Sequence, residues 1–252
     1  MQKILAFSKI YLFDMLQNKL AFIFNLAFPV GFFVVDNFKV IGKASINEEK
    51  FVSVLSVYFA YIILVSLLNL IIMSILSQRE QGMFLEYTLI SGNKLYPFWG
   101  LLGLQLCVLL LELIVFDITV YALFPSIGGR IFTLLTLRAM SAALPVLGIL
   151  SLLLLLRIGL QSLSVVVTIF IFTCFLLLKK DPSIWSLINP LQYIQQVVSH
   201  GFSWQFYIVG LGYLVVGLGY LVVGLGYLVV GLGYLVVGLV CLVRFDVTPK
   251  FR

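Results

Sequence analysis

Long apolar runs recur along the whole chain and are separated by short polar segments. Apolar runs of about 18 residues or more are typical of transmembrane helices, because a helix needs about 20 residues to cross the hydrocarbon core of a bilayer. The predicted spans cover residues 20–35, 51–76, 97–123, 131–156, 158–178 and 206–243. The pattern therefore predicts an all-α, polytopic integral membrane protein with six transmembrane helices.

The segment 1–19 has a weaker, amphipathic pattern. Ile4, Phe7 and Tyr11 recur at helical spacing, and charged residues are scattered over the rest of the segment. A helix of this kind is more typical of the membrane interface than of a membrane span. We therefore predict an interfacial amphipathic helix over 1–19, followed by a transmembrane domain over 20–252.

Two polar segments interrupt the apolar pattern. Segment 77–96 is polar and lies between the second and third predicted spans. Segment 182–205 is too polar to cross the bilayer, but it contains Trp185 and Trp204, and tryptophan is enriched at membrane interfaces. We expect this second segment to dip into the membrane before the last span.

The last apolar run, 206–243, is unusually long. Within its 38 residues the unit Tyr-Leu-Val-Val-Gly-Leu-Gly repeats in register from Tyr213, Tyr220 and Tyr227, and a partial fourth copy begins at Tyr234. One straight helix of this length would measure about 57 Å, nearly twice the roughly 30 Å hydrocarbon core. We interpret the run as a single span expanded by in-frame duplication. A hairpin of two spans is the less favoured alternative, because the run contains no polar stretch that would form a turn.

Composition supports a membrane protein and limits what else the chain contains. Hydrophobic residues make up 62% of the 252 residues and charged residues 10%, whereas charged residues are about 25% of an ordinary soluble domain. No segment is both polar and long enough to fold as a separate soluble domain of roughly 50 residues. The net charge of +6 arises without a basic run, which favours contact with lipid headgroups over nucleic-acid binding.

The basic residues predict the orientation of the chain. If the N-terminus, segment 77–96, Arg157 and the C-terminal tail share one side, nine of the 16 Lys and Arg residues lie there and seven lie elsewhere. Basic residues are enriched in cytoplasmic loops. This distribution therefore predicts a multi-pass protein of the cell membrane with both termini in the cytoplasm.

Motifs that would indicate catalysis are absent from the sequence. It contains no phosphate-binding GxxxxGK[ST] loop, no HExxH metal motif and no GxSxG nucleophile motif. Cys107, Cys174 and Cys241 lie far apart within apolar runs, and His200 is the single histidine. We therefore predict no enzyme activity, no metal site and no cofactor on this chain.

Three charged residues lie inside predicted spans. Glu112 and Asp117 are in the third span and Arg138 is in the fourth, and each charge costs roughly 2.5–3.5 kcal/mol in a membrane unless it has a partner or faces water. Asp117 and Arg138 lie at similar distances from the turn between these spans, so we predict a structural ion pair. Substrate contact or a proton relay is the alternative. Glu112 has no evident charged partner and is our candidate for the translocation pathway.

Segment 77–96 also contains the strongest functional motif. Glu80 and Glu86 predict a short amphipathic cytoplasmic helix, with a solvated loop as the alternative, and Arg79 and Gly82 lie beside Glu80 in the sequence. This segment resembles the permease subunits of type-2 ATP-binding-cassette exporters. In that family an Arg-Glu-x-Gly segment with a later Glu forms the coupling helix that docks on the ATPase subunit, and the resemblance places these four residues on that motif.

A second element carries the same resemblance. Asn189-Pro190-Leu191-Gln192-Tyr193 is similar to an Asn-Pro-Leu-x-Tyr element of the family, so Asn189, Pro190 and Tyr193 are candidate residues of the membrane-dipping segment. The interfacial helix, the six spans and the dipping segment are also similar to the family layout, whereas the long terminal run is not.

The resemblance implies a half-permease that pairs with a second copy or a related chain and binds separate ATPase subunits, where ATP is hydrolysed. Aromatic residues make up 15% of the chain, which suits export of an apolar or amphipathic substrate such as a peptide, drug or lipid-linked molecule. Two alternatives are open. One is a membrane assembly or immunity factor without ATP-driven cycling. The other is a secondary transporter, although the sequence has no visible inverted repeat between its halves.

Overall fold

The computed structural model describes residues 2–17, 19–38, 48–93, 95–125, 127–155, 159–178, 188–201 and 208–213. Every regular element in these residues is helical, which confirms the all-α class. The helices are α1 (Gln2–Gln17), α2 (Lys19–Asn37), α3 (Glu48–Ser66), α4 (Ser74–Glu80), α5 (Met83–Ser91), α6 (Leu95–Leu123), α7 (Gly129–Leu150), α8 (Leu160–Leu176) and α9 (Pro190–His200). A π-helical segment, Leu67–Met73, joins α3 to α4, and a 3-10 turn, Ser151–Leu155, continues α7.

Three continuous helices are long and apolar enough to cross a membrane, judged by length and composition. They are Glu48–Glu80 with 33 residues, Leu95–Leu123 with 29 residues and Gly129–Leu154 with 26 residues. They coincide with the second, third and fourth predicted spans. The first and fifth predicted spans fall on shorter apolar helical stretches, which are Ala27–Asn37 within α2 and Leu160–Leu176, the whole of α8. The count of six spans therefore stays a prediction, and most of the sixth predicted span lies outside the described residues.

The helix bundle has two distinct ends. At the end that we call the elbow end, α4 turns through α5 into α6, and a hydrogen bond from the backbone of Leu160 to Glu80 brings the start of α8 there. At the opposite end, the end of α2, the start of α3 and the end of α6 meet. The ring centroid of Phe124 lies 5.9 Å from that of Phe33 and 5.0 Å from that of Phe51.

Aromatic side chains fill the core towards the opposite end. Phe33, Phe59 and Phe116 are each at most 1% exposed. Phe116 lies edge-on to Phe33 at 5.5 Å and to Phe59 at 5.6 Å between ring centroids. Such pairs contribute about 0.5–1.5 kcal/mol each beyond the burial of their area. The cluster therefore fixes α2, α3 and α6 against one another.

α1 packs against the first turns of α6. Ser8 Oγ donates a hydrogen bond to the carbonyl of Gly100 at 2.9 Å, and a Cβ atom built at Gly100 would lie 2.8 Å from Cβ of Phe7. The close approach of the two helices therefore depends on the absent side chain at Gly100. Another side of α1 exposes Leu5 and Phe13, which is the kind of apolar surface that the predicted interfacial position requires.

α9 lies inside the predicted membrane-dipping segment and begins at its family-like element. The Oδ1 atom of Asn189 caps the helix by accepting the backbone N–H of Leu191 at 3.0 Å, and its Nδ2 donates to the carbonyl of Cys174 at 2.7 Å. Pro190 occupies the first turn, where a missing N–H leaves no helical hydrogen bond unmade. α9 packs chiefly against α3 and α7, so it forms part of the bundle.

Candidate functional site

The elbow between α4 and α5 is formed by a glycine in the left-handed conformation. Gly82 has a φ of +76°, and its carbonyl accepts hydrogen bonds from the backbone of Leu85 and Glu86 at 3.1 and 3.2 Å. A second such glycine, Gly92 with a φ of +73°, ends α5 by donating to the carbonyl of Thr88 at 2.9 Å. Residues with a Cβ atom rarely adopt positive φ. The two glycines therefore limit α5 to nine residues.

Two of the four predicted coupling residues face the inside of the bundle. Arg79 is 4% exposed, and its guanidinium donates to the carbonyl of Leu154 at 3.4 Å. Glu80 Oε1 accepts the backbone N–H of Leu160 at 2.6 Å. This carboxylate satisfies a free N–H at the start of α8 and complements its helix dipole. Arg79 and Glu80 therefore connect α4 to the end of the α7 span and to α8, and their predicted role in coupling to an ATPase stays a prediction.

The other charged coupling candidate, Glu86, is exposed on α5. Leu89 and Ile90 follow it by three and four residues, which puts all three on one side of the helix. Leu89 is 73% exposed and Ile90 is 79% exposed. We call Glu86, Leu89 and Ile90 the α5 face. Phe84, by contrast, is fully buried, so α5 is anchored to the bundle on one side and presents a carboxylate beside two aliphatic side chains on the other.

α1 packs against α5 through Tyr87 and Ser91, which are not part of the α5 face. The ring of Tyr87 on α5 lies 5.5 Å from that of Phe7 and 5.8 Å from that of Tyr11. Lys3 Nζ donates to the carbonyl of Ser91, the last residue of α5, at 3.2 Å. Burial raises the pKa of Tyr87 above its ordinary value, and the carboxyl groups of Asp14 and Glu86 raise it further. The α5 face is therefore presented on a supported helix.

Glu112 is buried in the seam between α6 and α3. Its Oε2 accepts a hydrogen bond from Ser66 Oγ at 2.5 Å, and the residue is 4% exposed. Ser66 is the last residue of α3 before the π-helical segment, and π-helical turns are frequent at functional sites. Within the part of the chain that the structure describes, Oε1 of Glu112 has no hydrogen-bond partner. A role for Glu112 in the translocation pathway stays a prediction.

Asp117 and Arg138 have different partners, so the predicted ion pair between them is corrected. Asp117 accepts a hydrogen bond from Thr136 Oγ1 across the seam between α6 and α7. Arg138 donates to the backbone carbonyls of Val198 and Ser199 at 3.2 and 3.4 Å. These carbonyls lie at the C-terminal end of α9, where the last carbonyls lack helical partners and the helix dipole attracts a cation. Arg138 therefore caps α9.

Replacing Arg138 with methionine should destabilise the packing of α9, because two carbonyls would lose a charged donor. We expect the melting temperature of the purified chain, followed by tryptophan fluorescence, to fall by about 5 °C. Arg138→Lys should restore only part of this loss, because both carbonyls are bonded to Nη1 at the tip of the arginine and the lysine side chain is shorter. Exchanging Asp117 and Arg138 should not restore stability. Recovery in the exchanged variant would contradict the capping role and favour the ion pair.

Tyr193 connects α9 to the start of the last predicted span. It is 1% exposed, and its ring centroid lies 5.2 Å from that of Tyr213, the first residue of the first repeat unit. A Cβ atom built at Gly210 would lie 2.7 Å from Tyr193 Oη. The absent side chain at Gly210 therefore makes room for the phenol. Of the run 206–243, the structure describes residues 208–213.

The sequence analysis did not identify Ser66 and Thr136. Each is a hydroxyl residue inside an apolar span, and each donates to a carboxylate on α6. Thr136 lies nine residues after Ile127, close to the depth of Asp117 ten residues before it. The depth argument that selected Arg138 therefore applies equally to Thr136, and this signal was available in the sequence.

Neither a metal site nor a known protein identifies the function. Among the described residues, no three His, Cys, Asp or Glu side chains are grouped so that they could hold a metal ion. Comparisons of the chain with protein-family models, with curated proteins and with solved structures find no match.

Proposed function

We propose that the chain is the membrane-spanning subunit of an ATP-driven exporter of the type-2 ATP-binding-cassette class, and that a separate ATPase subunit docks on the α5 face. The α5 face carries this proposal, because it sets the carboxylate of Glu86 beside two aliphatic side chains that no other described residue covers. A patch of this composition suits a protein partner. It lies at the end of the 33-residue helix Glu48–Glu80, where a docked subunit would act directly on a span.

The contacts of the elbow offer a route by which such a subunit would move the spans. α5 is continuous with α4 on one side and leads into α6 on the other. Glu80 is bonded to the start of α8, and Arg79 is bonded to the end of the α7 span. A displacement of α5 would therefore reach several spans together. The π-helical segment Leu67–Met73 gives the long helix a place to bend, because its hydrogen-bond register already departs from that of an α-helix.

The proposal includes the finer layout predicted from the sequence. It comprises six spans, α1 at the membrane interface, both termini in the cytoplasm and a second permease copy in the same bilayer. Two copies supply two α5 faces for two ATPase subunits. In this scheme the ATPase binds ATP, and the permease carries an apolar or amphipathic substrate.

Changing the charge and polarity of the α5 face should uncouple the chain from the ATPase. We expect the double variant Glu86→Lys/Leu89→Asp to retain at most about a tenth of the ATPase that co-purifies with the wild-type chain from native membranes. ATP-dependent export should fall by a similar factor. The melting temperature should not change, because both side chains are exposed.

Glu48→Lys is the matched control for this variant. Glu48 is also an exposed carboxylate in the first turn of a helix, but it lies at the opposite end of the bundle. It should leave co-purification and export unchanged. Glu80→Gln should instead lower the melting temperature, because Glu80 is bonded inside the bundle. Wild-type export by the double variant would contradict docking on α5, and a wild-type chain that brings down no ATPase would favour an assembly factor.

A further inference from the structure

A cavity of about 370 Å³ opens between α2, α3 and α8. Its volume lies in the range typical of small-molecule sites. Five aromatic side chains contribute to its wall: Phe28, Phe32, Tyr58, Tyr61 and Phe175. Its one charged lining residue among those described is Asp36, near the end of α2 and therefore towards the end opposite the elbow. We call this space the aromatic cavity.

The aromatic cavity has a wall that is already formed. Tyr61 on α3 lies with its ring centroid 6.4 Å from that of Phe28 on α2 and 5.7 Å from that of Phe175 on α8. Phe28 is in turn 4.8 Å from Phe32. These contacts connect three helices, so the rings hold one another in place. A ligand therefore meets a set of aromatic surfaces that needs little rearrangement.

Asp36 provides a fixed negative charge at this wall. Tyr58 Oη donates a hydrogen bond to Asp36 Oδ2 at 2.6 Å, which orients the carboxylate. Asp36 is exposed, and among the described residues no lysine or arginine forms an ion pair with it. Because the Asp36 side chain is exposed and lines the cavity, a ligand in the cavity can reach its charge. Aromatic rings attract cations through their negative faces, and a neighbouring carboxylate adds to that attraction.

We propose that the aromatic cavity binds an amphipathic cation, with its ammonium group between the rings and Asp36 and its apolar chain along the wall formed by α2 and α8. A zwitterionic phospholipid is the poorer occupant. Its phosphate lies next to the ammonium group, and the carboxylate of Asp36 would repel it. An anionic amphiphile is excluded for the same reason.

A second cavity lies beside α8 and shares one lining residue with the aromatic cavity. It has a volume of about 280 Å³, lies between the π-helical segment and α8, and also touches Phe175. Its wall includes Asn69, Ser164 and Thr168, so it is more polar than the aromatic cavity. Phe175 thus lines both cavities.

The test measures binding of tritiated dodecyltrimethylammonium to the full chain in dodecyl maltoside micelles, after subtraction of protein-free micelles. We expect saturable binding of one ligand per chain. Unlabelled dodecylphosphocholine has the same tail and the same trimethylammonium group but adds a phosphate, and it should compete at least about tenfold less well than unlabelled dodecyltrimethylammonium. Equal competition by the two compounds would overturn the selectivity for a cation.

Two variants test separately the charge and the aromatic wall of the proposed site. Asp36→Asn keeps an acceptor for Tyr58 but removes the charge, and it should weaken binding about tenfold. Phe175→Leu removes one aromatic surface and should weaken binding several-fold while keeping the cavity apolar. Asp14→Asn, which removes an exposed carboxylate on α1, is the control and should bind like the wild type. Wild-type affinity in both Asp36→Asn and Phe175→Leu would overturn the site.

As a statement about the substrate, this inference rests on the proposed function. Binding itself is measured without ATP or ATPase, so the proposed cation site and the proposed exporter function are tested separately. Glu86→Lys/Leu89→Asp should keep wild-type binding while it loses export. Asp36→Asn should keep the ATPase bound while it loses export of the cation.

Discussion

Gly100→Ala should lower the melting temperature of the purified chain by about 5 °C, whereas Gly103→Ala should leave it unchanged or raise it. A Cβ atom at Gly100 would lie 2.8 Å from Cβ of Phe7 and 3.1 Å from the carbonyl oxygen of Ile4. These neighbours belong to the backbone and the first side-chain atom of α1, so α1 itself would have to move. The hydrogen bond from Ser8 Oγ to the carbonyl of Gly100 would be strained by the same displacement.

Gly103→Ala is the matched control for Gly100→Ala. Gly103 lies about one turn further along α6, and nothing lies within 4 Å of the Cβ atom that it would gain. Both substitutions replace glycine with a better helix former, which by itself favours folding by up to about 1 kcal/mol. A difference between them therefore reports the contact with α1. Equal melting temperatures would contradict the packing of α1 on α6.

The effect at Gly100 should extend to the α5 face. Displacing α1 removes the support that Phe7 and Lys3 give to α5 through Tyr87 and the carbonyl of Ser91. We therefore expect Gly100→Ala to weaken co-purification of the ATPase as well, even though Gly100 is not part of the α5 face.

The elements that the sequence predicted best are those that depend on local pattern. The three long helices follow from runs of apolar residues. The one short helix predicted to carry Glu80 and Glu86 is instead two helices, because Gly82 adopts a positive φ between α4 and α5. The start of α9 at Asn189 and Pro190 was not predicted, although both residues are typical of a helix N-terminus and this local signal was present in the sequence.

The partners of the buried charges were harder to predict, because they depend on how helices are placed side by side. Similar depth in a hairpin puts both Thr136 and Arg138 near Asp117. These two residues are two positions apart on α7, however, so their side chains differ by about 200° in direction around the helix. Thr136 points to α6, and Arg138 points to α9. No pattern in the sequence states where α9 packs, so its open carbonyls could not be anticipated as the partner of Arg138.

The aromatic cavity shows the same limit. The chain has 22 Phe and 12 Tyr residues, so the five that line the cavity do not stand out in the sequence. Phe175 lies more than 100 residues from Tyr61, and only the packing of α8 beside α3 brings their rings together. Asp36 lies one residue beyond the first predicted span, 20–35, and its charge gains a ligand-binding role only from the rings around it.

Deleting residues 213–233 should preserve the fold although it removes 21 residues and draws the tail in by about 31 Å along a straight helix. The repeat explains this tolerance. After the deletion Tyr234 follows Gly212 directly, so the local sequence that packs on Tyr193 is restored, and the run keeps 17 residues, near the lower limit for a span. We expect a melting temperature within about 2 °C of the wild type, equal ATP-dependent export, and a tail digested by protease from the same side of the membrane.

Deleting residues 213–231 is the matched control for the in-register deletion, because it removes 19 residues and places Leu232 where Tyr213 was. Tyr193 then loses its ring partner, and every later side chain is rotated by about 200° relative to the in-register deletion. We expect the melting temperature to fall by about 5 °C. Equal stability of the two deletions would show that the register of the repeat does not matter to the fold. A tail on opposite sides in the intact and in-register-deleted chains would show that the run forms two spans.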